Sequence, residues 1–238
     1  MNQNQDQHIK RLKLYKALKI GYYRNERKQA KALKKYGYVL DKELSMGRER
    51  MVAFNPTTKK VLFVENGTNP TNVGDIVNDA YLVAGAIKKT GRFKRAKNTL
   101  NLAHDRYKDY KFTLAGHSLG GNLTNYIATP TDKVINYNAA YSKNAKPRAN
   151  VTNFRVASDP ISSYSPEGNT KIVEVPKQQK EPTAQTNKLL RPKPKETEQS
   201  STKVIEGNAV KEQATAATSF NPIAGHYLSN IQGASIFL

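Results

Sequence analysis

Short apolar runs alternate along this chain with longer stretches in which apolar residues recur at helical spacing. Residues 9–36 hold good helix formers, no proline and a stop at Gly37, which predicts a helix. Its apolar positions, Ile9, Leu12, Leu14, Tyr15, Leu18 and Ile20, do not gather on one stripe, which argues against a membrane-surface amphipathic helix. Strand-like runs follow at 51–54 and 61–64, separated by the turn Asn55-Pro56-Thr57-Thr58. Helices are predicted over 75–88 and 96–107, then a strand at 112–115, a helix at 119–128, and strands at 134–137 and 151–157. Strands alternating with helices predict an α/β layer fold around a mostly parallel central sheet.

The pattern breaks at 176–213. This stretch is rich in Lys, Gln, Glu, Thr and Pro, has little to bury, and reads as a disordered or extended insertion. After it the chain turns uncharged and apolar, so 214–238 should pack back onto the domain. The expected organisation is a basic N-terminal helical arm over 1–36, one domain built from 37–175 and 214–238, and the polar insertion 176–213 between its two parts.

Composition sharpens this picture. Of 238 residues, 37% are hydrophobic, and no cysteine is present. Disulfides, thiolate zinc sites, iron–sulfur clusters and cysteine nucleophiles are thereby excluded. Scattered His and carboxylates show no ligand spacing, so no metal or other cofactor is expected. The formal net charge is +20, concentrated in residues 1–50 and in KKTGRFKRAK at 88–97. Such patches attract nucleic acid, anionic membrane or an acidic partner. Tyr15, Tyr22, Tyr23 and Tyr36 interleave with the N-terminal basic residues as in nucleic-acid binders, although packing of the first helix explains them more simply. No run of about 18 apolar residues occurs, and the N-terminus has no signal-like apolar core, so a soluble intracellular protein is expected, with membrane-surface association through the basic patches as a variant.

The strongest chemical signal is AGHSLGG at 115–121. Gly116-His117-Ser118-Leu119-Gly120 is a G-x-S-x-G pattern, entered from the strand-like KFTLA and left by a helix with Leu119, Leu123, Tyr126 and Ile127 on one face. A strand, a tight turn and a helix present a serine hydroxyl at a strained corner, beside the free N–H groups of a helix N-terminus. Serine then needs a base, and the base an orienting carboxylate. Of four histidines, His8 lies in the basic arm, His104 precedes the serine on a helix, and His117 adjoins the serine and cannot readily curl back to it. His226 alone lies downstream and is the candidate base. Among the following acids, Asp159 closes a predicted strand just before Pro160, at the sheet edge where α/β sites are built. Glu167 is a distant second, and Asp132 falls at the opposite edge.

With FVENGT (63–68), GHSLGG (116–121), SDP (158–160) and GHYLSN (225–230), the chain resembles the class 3, fungal triacylglycerol lipase-like family. The resemblance implies an α/β-hydrolase-like three-layer fold, Ser118 as nucleophile, Asp159 as acid and His226 as base. It further implies an oxyanion hole from Thr68 and the backbone N–H of Leu119. Asn66 stands where that family usually carries arginine, and the short TNPTN stretch (68–72) leaves no room for a long apolar lid. The expected function is a serine hydrolase of carboxylic esters, lipid or acyl esters foremost. The alternative is a non-catalytic binding protein on a hydrolase scaffold, working through its basic surface.

Overall fold

The computed structural model describes residues 11–67, 85–173 and 235–238. Helices α1 (Leu14–Gly21) and α2 (Glu26–Lys34) come first, then strands β1 (Val39–Leu40), β2 (Arg50–Asn55) and β3 (Lys60–Glu65). After α3 (Gly91–Arg106) follow β4 (Lys111–His117), α4 (Leu119–Ile127), β5 (Lys133–Tyr137), β6 (Val151–Val156) and β7 (Thr170–Val173). The seven strands form one sheet whose spatial order is the chain order. β1, β2 and β3 pair antiparallel, and the four pairings from β3 to β7 are parallel.

Side chains alternate faces along each strand, and the alternation builds three layers. Leu62 and Val64 of β3 join Ala115, Ile135 and Tyr137 against α1 and α2. Val61 and Phe63 point the other way and join Phe112, Leu114 and Val134 against Ala96, Leu100 and Ala103 of α3 and Ile127 of α4. Because β3 is covered on both faces, it reads in sequence as an unbroken apolar run. Helices α3 and α4 share one face, as right-handed crossovers in a sheet growing in one direction require. The opposite face needs another cover, and the N-terminal helices supply it.

The described part of the N-terminal stretch therefore forms a layer of the domain rather than a detached arm. It comprises two helices instead of one. Asn25 interrupts the run by accepting from the Lys28 N–H at 3.1 Å and capping α2. Buried Gln29 donates to the Gly21 and Tyr23 carbonyls at 3.2 and 3.1 Å and fixes the bend between the two helices. Leu14, Tyr15, Ala17, Leu18, Ile20 and Gly21 are all buried, which explains why the apolar positions of α1 do not form one stripe. Tyr15 lies in the same core, with Tyr23 and Tyr36 packed against it. At the other end of the chain, the Leu14 N–H donates to the Ile236 carbonyl (2.8 Å) and the Leu238 N–H to that of Leu12 (3.2 Å). Ile236 and Leu238 pack against the α1 cluster.

Helix α3 begins five residues before its predicted start, because Thr90 caps it by accepting from the Phe93 N–H at 3.1 Å. Its first turn is basic and carries no apolar period that would announce it. The short strand β1 and the edge strand β7 are likewise not signalled by the apolar pattern. The helix expected at 75–88 lies mostly outside the described residues; at its end, Ile87–Lys89 is a 3-10 turn. The insertion at 176–213 is also outside them. Among the described residues, no helix is long and apolar enough to cross a membrane.

Candidate active site

Strand β4 ends at His117, α4 starts at Leu119, and Ser118 makes the whole turn between them. Its backbone sits at φ 55°, ψ −129°, a region that an L-residue occupies at a cost of about 1–3 kcal/mol unless its surroundings enforce it. They do. The Ser118 carbonyl accepts from the Ala140 N–H (3.0 Å) and the Gly121 N–H (3.0 Å), and its own N–H points at the Tyr137 carbonyl (3.3 Å).

The glycines of the motif permit this packing. A Cβ on Gly116 would come within 2.5 Å of the Gly121 Cα, and one on Gly120 within 2.5 Å of the Asn66 carbonyl oxygen. Helix α4 therefore starts in direct backbone contact with the end of β3, which the parallel register Glu65↔Gly116 brings alongside. Gly67 passes so near the serine that a Cβ on it would lie 2.7 Å from the Ser118 Cβ. The next residue, Thr68, lies outside the described residues.

Three side chains that sequence reasoning does not assign to the site hold this strand end. The Tyr22 hydroxyl, from the turn after α1, accepts from the Gly67 N–H at 2.8 Å and lies 2.8 Å from His117 Nδ1. Burial pushes the phenol up to about 12, so it keeps its proton and can donate it to Nδ1. The His117 ring stacks on Tyr137 at 5.8 Å and meets Tyr22 edge-on. Arg92 of α3 donates to the Asn66 carbonyl and lies 3.3 Å from Glu65 Oε2. Glu65 is fully buried and also pairs with Arg50 Nε. Burial pushes its carboxyl above the ordinary value, and the Arg50 and Arg92 guanidinium groups work against that push. The Asn66 side chain donates to the Arg48 carbonyl at 2.6 Å. No local pattern signals any of this: Tyr22 stands 95 residues from His117, and Arg92 reads in sequence as one of a run of surface cations.

Asp159 is buried just beyond β6, at the same carboxyl edge of the parallel strands as Ser118. One strand, β5, separates β4 from β6, an offset of two strand spacings or about 10 Å. Asp159 Oδ1 accepts from the Ile161 N–H (3.1 Å), and Oδ2 from the Ser162 N–H (3.2 Å) and hydroxyl (2.5 Å). Gly116, His117, Ser118, Leu119 and Gly120 thus meet at the elbow, with Asp159 on the same edge. His226, the candidate base, lies outside the described residues, as does Thr68. Asp132 stands at the opposite edge and contacts His104 Nε2 at 3.0 Å.

The cations at 88–97 are partly consumed by the fold. Besides Arg92, Arg95 pairs with Glu49 at 3.4 Å, Lys97 donates to the Ile127 carbonyl at 2.9 Å, and Lys88 lies over the Tyr126 ring. That use of the segment leaves a weaker case for an open nucleic-acid patch.

No protein-family model matches the chain, and no curated protein matches it significantly. Among solved structures it is similar to the Lip2 lipase of Yarrowia lipolytica, at 15% identity and a TM-score of 0.46, over 68% of this chain and 77% of that one. It is also similar to a mutant form of MDLA from Penicillium cyclopium, at 14% identity and a TM-score of 0.42, over 69% of this chain and 78% of that one. A Rhizomucor miehei lipase in complex with its propeptide gives 14% identity and a TM-score of 0.36, over 63% of this chain and 60% of that one. From its own sheet order and layers, the chain has an α/β-hydrolase-like three-layer fold with a mostly parallel central sheet.

Proposed function

We propose that the protein is a serine hydrolase that cleaves carboxylic esters, lipid or acyl esters foremost, through an acyl-enzyme on Ser118. The observation that carries this reading is the conformation of Ser118: a non-glycine residue at φ 55°, joining strand to helix. A turn that needed only to connect the two elements would be relieved by glycine, whereas an elbow that presents a hydroxyl needs the side chain.

In this reading the Ser118 oxygen attacks the ester carbonyl while His226 takes its proton, and Asp159 holds the resulting imidazolium. The developing oxyanion is met by the Leu119 N–H, which as the first helical amide has no intrahelical acceptor, and by Thr68. His226 then protonates the leaving alcohol, water enters, and the acid is released. The three donors on Asp159 fix the orientation of its carboxyl group, as an acid that orients a histidine requires.

The test is hydrolysis of a chain-length series of aryl esters by wild type and Ser118→Ala, together with labelling by a fluorophosphonate. Wild type should hydrolyse esters and take the label. Ser118→Ala should lose the label and about 10⁴-fold in rate. Equal rates in the two proteins would overturn the proposal.

A further inference from the structure

The opposite edge of the sheet carries a second feature, remote from Ser118. Three successive parallel strands each open on lysine: Lys60 on β3, Lys111 on β4 and Lys133 on β5. Register puts Lys60 directly across from Lys111, and Lys133 across from Thr113, two residues along the same face from Lys111. With side chains alternating along each strand, all three lysines stand on one face of the sheet. Neighbouring strands lie about 4.8 Å apart, so three strand starts span about 10 Å.

These residues line a cleft of about 670 Å³, to which Arg11 and Lys108 add two more cations. Among the described side chains that line it, one is a carboxylate, Asp132, and it is already committed. Its Oδ1 contacts His104 and its Oδ2 accepts from the Thr129 N–H at 2.7 Å. Among the described residues, none of the five cations forms an ion pair with a carboxylate. Like charges directly opposite one another destabilise a sheet. The cost is visible at Lys133, whose ammonium is held below its ordinary value by burial and by the positive charges of Lys60 and Arg11. Three lysines so placed, with no side-chain carboxylate paired to them among the described residues, suit an anion.

We propose that this cleft binds an oligophosphate, a chain of phosphate groups that bridges the three lysines, either free or as the triphosphate of a nucleotide. The shape favours this class over an extended anionic surface. The cations converge on a concavity at the ends of adjacent strands, on a scale comparable to the length of a triphosphate, rather than on a flat face. Tyr110 also lines the cleft and offers a ring that a nucleotide base could use.

The experiment uses the full-length protein with sodium tripolyphosphate and with ATP as separate probes, read by calorimetry and thermal shift at low salt. Expected are saturable binding of tripolyphosphate, a rise in Tm with its concentration, and weakening as salt increases. Lys60→Gln, Lys111→Gln and Lys133→Gln should each weaken binding at least about tenfold. These side chains are exposed, so the variants fold. Lys133→Gln should also leave the unliganded protein at the same Tm or a higher one, which distinguishes an anion-binding lysine from a structural one. Tighter binding of ATP than of tripolyphosphate would support the cleft and assign the ring to it; equal binding would support it as a free oligophosphate site. Ser118→Ala should bind like wild type, so this result stands apart from the fate of the hydrolase reading. Absence of saturable binding to both probes overturns the proposal. So does binding that is equal in wild type and all three variants, or binding to duplex DNA or anionic vesicles with which tripolyphosphate does not compete.

Discussion

Tyr22 is the residue on which two chains of contact meet. Its single oxygen takes the Gly67 N–H and faces His117, so it joins the strand end beside the serine to the residue before the serine. Tyr22→Phe keeps the ring and removes that oxygen, leaving a partly buried N–H without its acceptor, a loss of about 1–3 kcal/mol. Under the hydrolase reading, substrate binding makes no use of the phenol, while the donors facing the developing oxyanion depend on where Gly67 and its neighbours lie. Tyr22→Phe should therefore lower kcat on aryl esters by roughly tenfold with little change in KM, together with a lower urea midpoint. A purely structural tyrosine would move the midpoint alone. Ser118 itself is legible from the seven residues AGHSLGG, because the glycines and the strand–helix switch are local. Tyr22 and Arg92 are not: their roles arise from approaches across the sheet layers, and neither carries a local mark. Asn66 shows the same limit. The bracing of its carbonyl by Arg92 needs the fold.

Elements are joined at the far side by Asp41, which follows β1. Its Oδ2 accepts from Arg106 (2.8 Å) and the Tyr107 hydroxyl (2.7 Å) at the end of α3, and its Oδ1 accepts from the Glu43 and Leu44 N–H groups at 3.1 Å. Burial pushes this carboxyl up, but the Tyr107 hydroxyl, the Leu44 amide and the Arg106 guanidinium outweigh it and hold it below its ordinary value of 3.8. A carboxylate depressed in the folded state contributes stability above its unfolded pKa, and that contribution fades as pH falls through the lower folded value. Stability should thus decline on acidification below about pH 4, and Asp41→Asn should be less stable than wild type at neutral pH, with the gap closing in that window. Urea midpoints taken from neutral pH down to about pH 2.5 check it; a gap independent of pH would refute the linkage. This element pair also shows what periodicity leaves out. The β1 strand has two residues and α3 starts on a basic turn, so both are defined by caps and cross-layer partners rather than by apolar spacing.

At the scale of the molecule, the alternation of apolar runs foretells the layering but not the role of the first helices. A strongly basic stretch with smeared apolar positions reads as separable, whereas one face of the sheet cannot be closed without it. Leu18 is fully buried in that interface. Leu18→Ala should cost about 2–5 kcal/mol, as large-to-small changes in a packed core do, read as a lower urea midpoint for the whole domain rather than as loss of a detachable helix. The net charge changes meaning as well. Some of its cations brace the strand end beside Ser118, and others gather at the amino edge of the sheet without an ion pair to a side-chain carboxylate among the described residues.

The strand order has a bearing on how the protein is made. Because every described strand lies beside its predecessor in the chain, each one emerging from the ribosome meets an edge that has just been completed, and none of the described strands must wait for a distant partner. The serine turn needs β3, β4, α4 and β5, with Ala140 as its latest backbone donor among the described residues. The serine turn can therefore be assembled before β6 and β7 have been made. Local pairing of this kind shortens the search for native contacts and the time during which unpaired strand edges are exposed to aggregation.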